Sequence, residues 1–308
     1  MAKKPPDPQM SIAGVERETG LGKDTLRVWE RRYGFPRPGR DANGERVYPE
    51  SQVAQLRLVK RLLDRGMRPG RLLARDAAAR AALAEQAPGA PAPPRSALHD
   101  LALFLLKTHQ TGELRRELVQ VLMRDGVKRF VLETAAPLTV HVGEAWARGE
   151  VQVFEEHLLT EVLQSVLRQA IAQLGVPSTP PVVLLTTLPD ERHGLGLLMV
   201  EAIATLEGAQ CVSLGTQSPV RDIVAAAIAH KADVVALSVS LNAVSAEVQE
   251  SVNLLRGLLA PRVALWCGGA GAARLKRLGK GVERIAELDD VGAALEAWRA
   301  HHGGRARS

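Results

Sequence analysis

His193 lies in the stretch LPDERHGLG (residues 188–196), with Glu191 two residues before it and Gly196 three after. An imidazole beside a carboxylate can ligate a metal through one nitrogen while the carboxylate fixes the other. Two further stretches carry compatible groups. Ser238-Val-Ser240-Leu241 offers small hydroxyls, and Gly268-Gly269 opens a glycine-rich turn. A phosphate site would want a Lys-Ser/Thr pair after the glycines, which is missing, and has no need of His193. A zinc site would want more nitrogen or sulfur ligands at close spacing, and none is near. One imidazole backed by a carboxylate suits a metal already held by a macrocycle and short of one axial ligand. Glu191 or Asp190 can hold the second ring nitrogen, and the glycines admit the rest of a bulky cofactor.

The elements that must position these groups alternate. Short apolar runs at 182–187, 210–214, 234–239, 263–267 and 284–288 read as strands. Helical patterns follow at 194–206, 219–230, 243–259, 270–278 and 291–300. This predicts a flavodoxin-like, doubly wound parallel sheet over residues 181–300. In the strand order 2-1-3-4-5, the loops after the first, third and fourth strands line the ligand crevice. Those loops carry His193, Ser238–Ser240 and Gly268–Gly269.

Upstream, residues 97–174 show apolar positions at helical spacing in four runs, which predicts a four-helix bundle. Most of Leu101, Leu105, Leu118, Val121, Leu122, Val140, Leu158, Val162 and Val166 should be core. Trp146 near one helix end and the Glu156-His157 pair near the next helix start form an odd cluster. Taken alone it reads as core and surface.

Residues 1–75 hold 17 Lys and Arg against 9 Asp and Glu, while the remainder of the chain is close to neutral. A basic module on a near-neutral body suggests a polyanionic partner for that module. Ser11 reads as the N-cap of a short helix, followed by a turn at Gly20–Gly22 and a second helix from Asp24 to Gly34. In that second helix Leu26 and Trp29, with Val28 beside them, pack on the first. Its exposed face carries Lys23, Arg27, Arg31 and Arg32. Asn43-Gly44 is a strong hairpin signal, so Arg40 and Arg46 flank a wing tip, with Tyr48 as a further phosphate donor. This is a winged helix-turn-helix over residues 8–84, whose second helix is presented to a major groove. Residues 86–96 read as a Pro/Ala-rich linker, and 175–181 as a second break. The two cysteines make no framework, no stretch is long and apolar enough for a membrane span, and MAKKPPDPQM has no signal-peptide core. A cytoplasmic protein is expected.

Residues 10–70, with the run WERRYG and the wing pattern GERVY, resemble the DNA-binding domain of the MerR family. The set Glu191-x-His193-x-x-Gly196, Ser238-x-Ser240-Leu241 and Gly268-Gly269 resembles the cobalamin-binding domain. That resemblance implies His193 as lower cobalt ligand, with the displaced nucleotide tail running past the third- and fourth-strand loops. Trp146, nine residues, then Glu156-His157 matches the helical cap of the CarH and LitR type photoreceptors, which the whole chain resembles. In that family the Trp and Glu contact the 5′-deoxyadenosyl upper ligand, roles that fall to Trp146, Glu156 and His157. The implied function is non-enzymatic: a repressor that binds adenosylcobalamin and operator DNA as a dimer or tetramer in the dark and releases DNA on photolysis. The family's light sensors carry His directly after the Trp, whereas this chain has Ala147. That departure leaves open a regulator that senses cobalamin or redox state without light, and His141 or His157 as substitute upper ligands. A corrinoid methyl carrier is the enzymatic alternative.

Overall fold

The computed structural model describes residues 9–64, 67, 69–86, 96–175, 177, 179–189, 191–240, 244, 246–276 and 278–302. The chain divides into two compact units, residues 1–96 with 140–156, and residues 97–139 with 157–308.

The first unit opens with β1 (Gln9–Ser11), α1 (Ile12–Thr19), α2 (Lys23–Tyr33), β2 (Gly39–Arg40), β3 (Arg46–Pro49), α3 (Glu50–Asp64), α4 (Pro69–Leu73) and α5 (Ala77–Gln86). Ser11 caps α1 by accepting from the Gly14 N–H at 3.2 Å, satisfying a donor that the helix itself cannot. Gly20, in the left-handed region at φ 68°, ends α1 and turns the chain into α2. The strands form an antiparallel sheet, β1-β3-β2, with Arg40 opposite Arg46 across the hairpin. At its tip the Asp41 carboxylate accepts from the N–H groups of Asn43 and Glu45, both at 2.9 Å. Val15, Leu26, Trp29, Tyr48, Val53, Leu56 and Val59 make the core. Arg57 is pulled inside beside Glu18 and Glu50, tying α1 to α3.

The four helices expected next are α6 (Ala97–Lys107), α7 (Thr111–Arg129), α8 (Ala136–Ala147) and α9 (Val153–Leu174). A π-helical turn, Phe130–Ala135, joins α7 to α8. The division between the units falls within α8 and α9. In the second unit Leu105, Leu118, Val121, Val162 and Val166 are core as expected, and Leu122 and Leu158 are half-buried. Leu101 and Val140 depart from expectation, at 38% and 48% exposure. On α6 the buried line is His99, Ala102, Leu105 and Leu106, and Leu101 lies off it. Val140 likewise lies off the line of Leu138, Val142 and Ala145.

The rest of the second unit is β4 (Thr179–Thr186), α10 (Leu195–Leu206), β5 (Ala209–Gly215), α11 (Val220–Ala229), β6 (Val234–Ser238), α12 (Ala246–Leu258), β7 (Ala264–Gly268), β8 (Val282–Arg284) and α13 (Asp290–His302). The strands are parallel in the order β5-β4-β6-β7-β8, which is the predicted 2-1-3-4-5. Leu184, Val235, Leu237, Leu265 and Cys267 pack with α11 and α12 residues on one face. The alternate residues Val183, Leu185, Ala236 and Trp266 are buried too and point to the opposite face. Two elements differ from expectation. The helix expected at 270–278 is only a 3-10 turn, Ala272–Arg274. The strand expected at 284–288 is β8, which is shorter and earlier. In the first case the Gly271 N–H donates to the Val239 carbonyl at 2.9 Å, so that donor serves loop–loop packing. Most of the linker and tail residues, 87–95 and 303–308, lie outside the described residues.

Candidate functional site

The helix-turn-helix module is built by α1, α2 and the wing. Leu26 and Trp29 anchor α2 in the core and leave Asp24, Thr25, Arg27, Val28, Arg31 and Arg32 exposed. The predicted cations differ in their partners. Lys23 lies 3.5 Å from Glu16, Arg27 3.0 Å from Asp24 and Arg46 2.8 Å from Glu30, a bond that ties the wing to α2. The Arg32 guanidinium sits 5.4 Å over the Tyr33 ring. Arg40 is exposed and bonds the Gly44 carbonyl at 2.6 Å across the wing tip. Two expectations are corrected. Tyr48 is fully buried, with no hydrogen-bond partner for its hydroxyl among the described residues, so it is core and presents no donor to a phosphate. Val28 is not core; it is 42% exposed. Arg37, unremarked in the sequence, is an exposed cation at the joint between α2 and the wing, where its Nε bonds the Gly34 carbonyl at 2.9 Å.

At the carboxyl end of β4 the chain turns through 187–194 into α10. The Thr187 hydroxyl donates to the Glu191 carbonyl at 2.7 Å and accepts from the Gln217 N–H at 2.8 Å, which pins the loop at both ends. Glu191 is buried. Its Oε1 lies 2.6 Å from His193 Nδ1 and accepts the His193 backbone N–H at 2.9 Å. Its Oε2 accepts the Ser240 backbone N–H at 2.7 Å, across the point where the sheet order reverses. Burial pushes the Glu191 carboxyl up, but the bonds from His193 and Ser240 outweigh it and hold it at about 2. The imidazole itself is 65% exposed. An Nδ1–H donated to this carboxylate leaves the lone pair on Nε2.

The other strand ends close around this pair. Ser238 ends β6 in register with Gly268, and a Cβ on Gly196 would stand 3.3 Å from the Ser238 hydroxyl. Gly269 has φ 87°, and a Cβ there would come within 2.6 Å of the Val239 carbonyl; Gly271 is as tight against Ser240. These glycines let the β7 loop lie directly on the β6 loop, a nearer reason for their presence than room for a cofactor. Glu191, His193, Gly196, Ser238, Ser240, Gly268 and Gly269 are thus brought together; Leu241 and Asp190 lie outside the described residues. Trp146 and Glu156 belong to the first unit. The Trp146 indole is half-buried near the end of α8, and its Nε1 has no partner among the described residues. Glu156 and His157 lie in the first turns of α9, half-buried and exposed. Their neighbour Glu155 is buried and accepts the Gln152 N–H at 2.7 Å, capping α9. Arg192, Arg168, Gln164 and Glu201 line a cleft of about 210 Å³ that includes the chain neighbours of His193 but not His193 itself. Among the described residues no group of three His, Cys, Asp or Glu could hold a bare metal ion. The donor set fits a metal that brings its own equatorial ligands.

Comparison with known proteins agrees with this chemistry. Residues 10–72 match the MerR HTH family of regulatory proteins, and residues 102–171 and 181–291 each match a B12 binding domain. The chain is 28% identical to the HTH-type transcriptional repressor CarH of Myxococcus xanthus over 82% of this chain and 86% of that protein. It is 28% identical to the repressor CarA of the same organism over 74% of this chain and 76% of that one. The chain is a CarH-like, B12-binding regulator of the MerR type. The regulator also shares its fold with the monomethylamine corrinoid protein of Methanosarcina barkeri, at a TM-score of 0.53 and 14% identity over 65% of this chain and 98% of that one. No helix of its described residues is long and apolar enough to cross a membrane.

Proposed function

We propose that this regulator binds adenosylcobalamin and operator DNA in the dark and releases the DNA after light. The observation that supports it best is the Glu191–His193 pair at the end of β4, within residues that match a B12 binding domain. His193 Nε2 would hold the cobalt of the cofactor, with Glu191 fixing its tautomer and raising its basicity. Gly196, Ser238, Ser240, Gly268 and Gly269 wall the space for the displaced nucleotide tail, with Leu241 assigned to the same wall from sequence alone. Trp146, Glu156 and His157 are assigned to the upper ligand, a role the unpartnered indole Nε1 of Trp146 is chemically suited to. Adenosylcobalamin supplies a cobalt–carbon bond that visible light breaks. Contact of Trp146 and Glu156 with the adenosyl group favours a dark dimer or tetramer that presents several DNA-binding modules together. Without it the chains separate, and a lone module makes too few phosphate contacts to hold the operator.

The test is a visible spectrum and a gel filtration of the adenosylcobalamin-loaded protein in the dark and after green light. The expected result is a His-ligated spectrum and a dark oligomer that dissociates on illumination. An unchanged elution volume refutes light control, and His193→Ala should convert the spectrum to base-on type or abolish binding. The residue at position 147 favours a second reading. The light sensors that the chain resembles have His after the Trp, and here it is Ala147. Under this reading, adding or removing cobalamin changes the oligomer and light does not.

A further inference from the structure

Val28 is an exposed apolar side chain on the outward side of α2. The helix buries Leu26 and Trp29. With about 100° between successive residues, the direction opposite them falls on Asp24 and Arg31, with Val28 and Arg27 each about 50° to either side. All four are exposed. Arg27 is held by Asp24 at 3.0 Å, and Arg46 is tied to Glu30 on the same helix at 2.8 Å. A single exposed apolar side chain is ordinary on a protein surface. This one differs by its place, on the outward side of the second helix of a helix-turn-helix, the helix that lies in the major groove. The groove code contains one apolar group, the thymine 5-methyl. A β-branched side chain in a helix has one strongly preferred rotamer, so the two methyls of Val28 are fixed before contact.

We infer that Val28 is a specificity-determining residue that reads a thymine 5-methyl group in each half-site of the operator. This rests on the DNA-binding assignment of the module. The exposed cations beside it set register on the phosphates and carry no methyl preference.

The test starts from random-sequence DNA duplexes enriched on the full-length chain, with and without adenosylcobalamin in the dark. Each thymine of the enriched duplex is then replaced by uracil, which removes only the methyl group. The expected result is one thymine per half-site at which uracil lowers affinity about 3- to 5-fold. Val28→Ala should bind both duplexes alike, and Val28→Ile should keep the discrimination. The side chain is exposed, so neither change should disturb folding, and circular dichroism checks this. Enrichment of a sequence with no thymine sensitive to the methyl overturns the contact and leaves DNA binding standing. A sensitivity that persists in Val28→Ala overturns it as well. Failure to enrich any sequence overturns the DNA-binding assignment and the contact together.

Discussion

At the scale of residues, the Glu191 carboxylate decides what His193 can do. It is buried, accepts two bonds from His193 and one from Ser240, and stays charged far below neutral pH. Replacing Glu191 with Gln keeps the size and removes the charge. Cobalamin affinity in a spectroscopic titration should fall by about 10- to 100-fold, the usual effect of losing a carboxylate behind a ligating histidine. Acid unfolding of the cofactor-free protein gives a second readout. The folded carboxyl lies near 2, below its ordinary 4.5. Its stabilisation is therefore complete above about pH 4.5 and lost as pH falls toward about 2. Urea midpoints of wild type and Glu191→Gln should differ most near neutral pH and converge in strong acid. The pair was legible because its members stand two positions apart in one loop. The Ser240 bond was not, because it joins positions 49 residues apart. Tyr48 was misread for a related reason: a tyrosine on a short wing strand looks exposed until α3 and the rest of the core are packed over it.

At the scale of elements, the helix boundaries and strand order followed from period and punctuation, and the failures came where tertiary contact overrode them. The apolar and small residues at 270–278 fit a helical pattern, yet Gly269 and Gly271 bring that segment against the β6 loop and its backbone bonds go there. Gly269→Ala tests this directly. At φ 87°, with the Val239 carbonyl 2.6 Å from the new Cβ, the loop must shift. Denaturant unfolding should show a loss of about 1–3 kcal/mol. The cobalamin spectrum should weaken in parallel if the β6 and β7 loops wall the cofactor. Buried lines on α6 and α8 explain the same kind of error more mildly, since Leu101 and Val140 are one step off the stripe that packs.

At the scale of the whole molecule, charge is segregated: the surplus of cations lies in the first 75 residues and the body is near neutral. Several of those cations are already matched within the module, as Arg57 is by Glu18 and Glu50, and Arg46 by Glu30. Fewer are left to neutralise phosphates than the composition implies. Operator affinity measured against NaCl should therefore fall by about 0.9 log units per log unit of salt for each phosphate contacted. The slope should be several-fold steeper for the dark, adenosylcobalamin-loaded form than after green light, because more modules engage at once. Equal slopes would refute multivalent binding. The modular order was readable from composition and linkers, whereas the pairing that spends these cations needed the folded chain. The carboxylate shared by His193 and Ser240 has one more effect. Swinging the ring away would leave the buried Glu191 carboxylate with only the His193 and Ser240 backbone N–H groups as partners. The imidazole is therefore aimed while the chain folds, and the entropy of ordering it is lost then rather than at the moment of ligation.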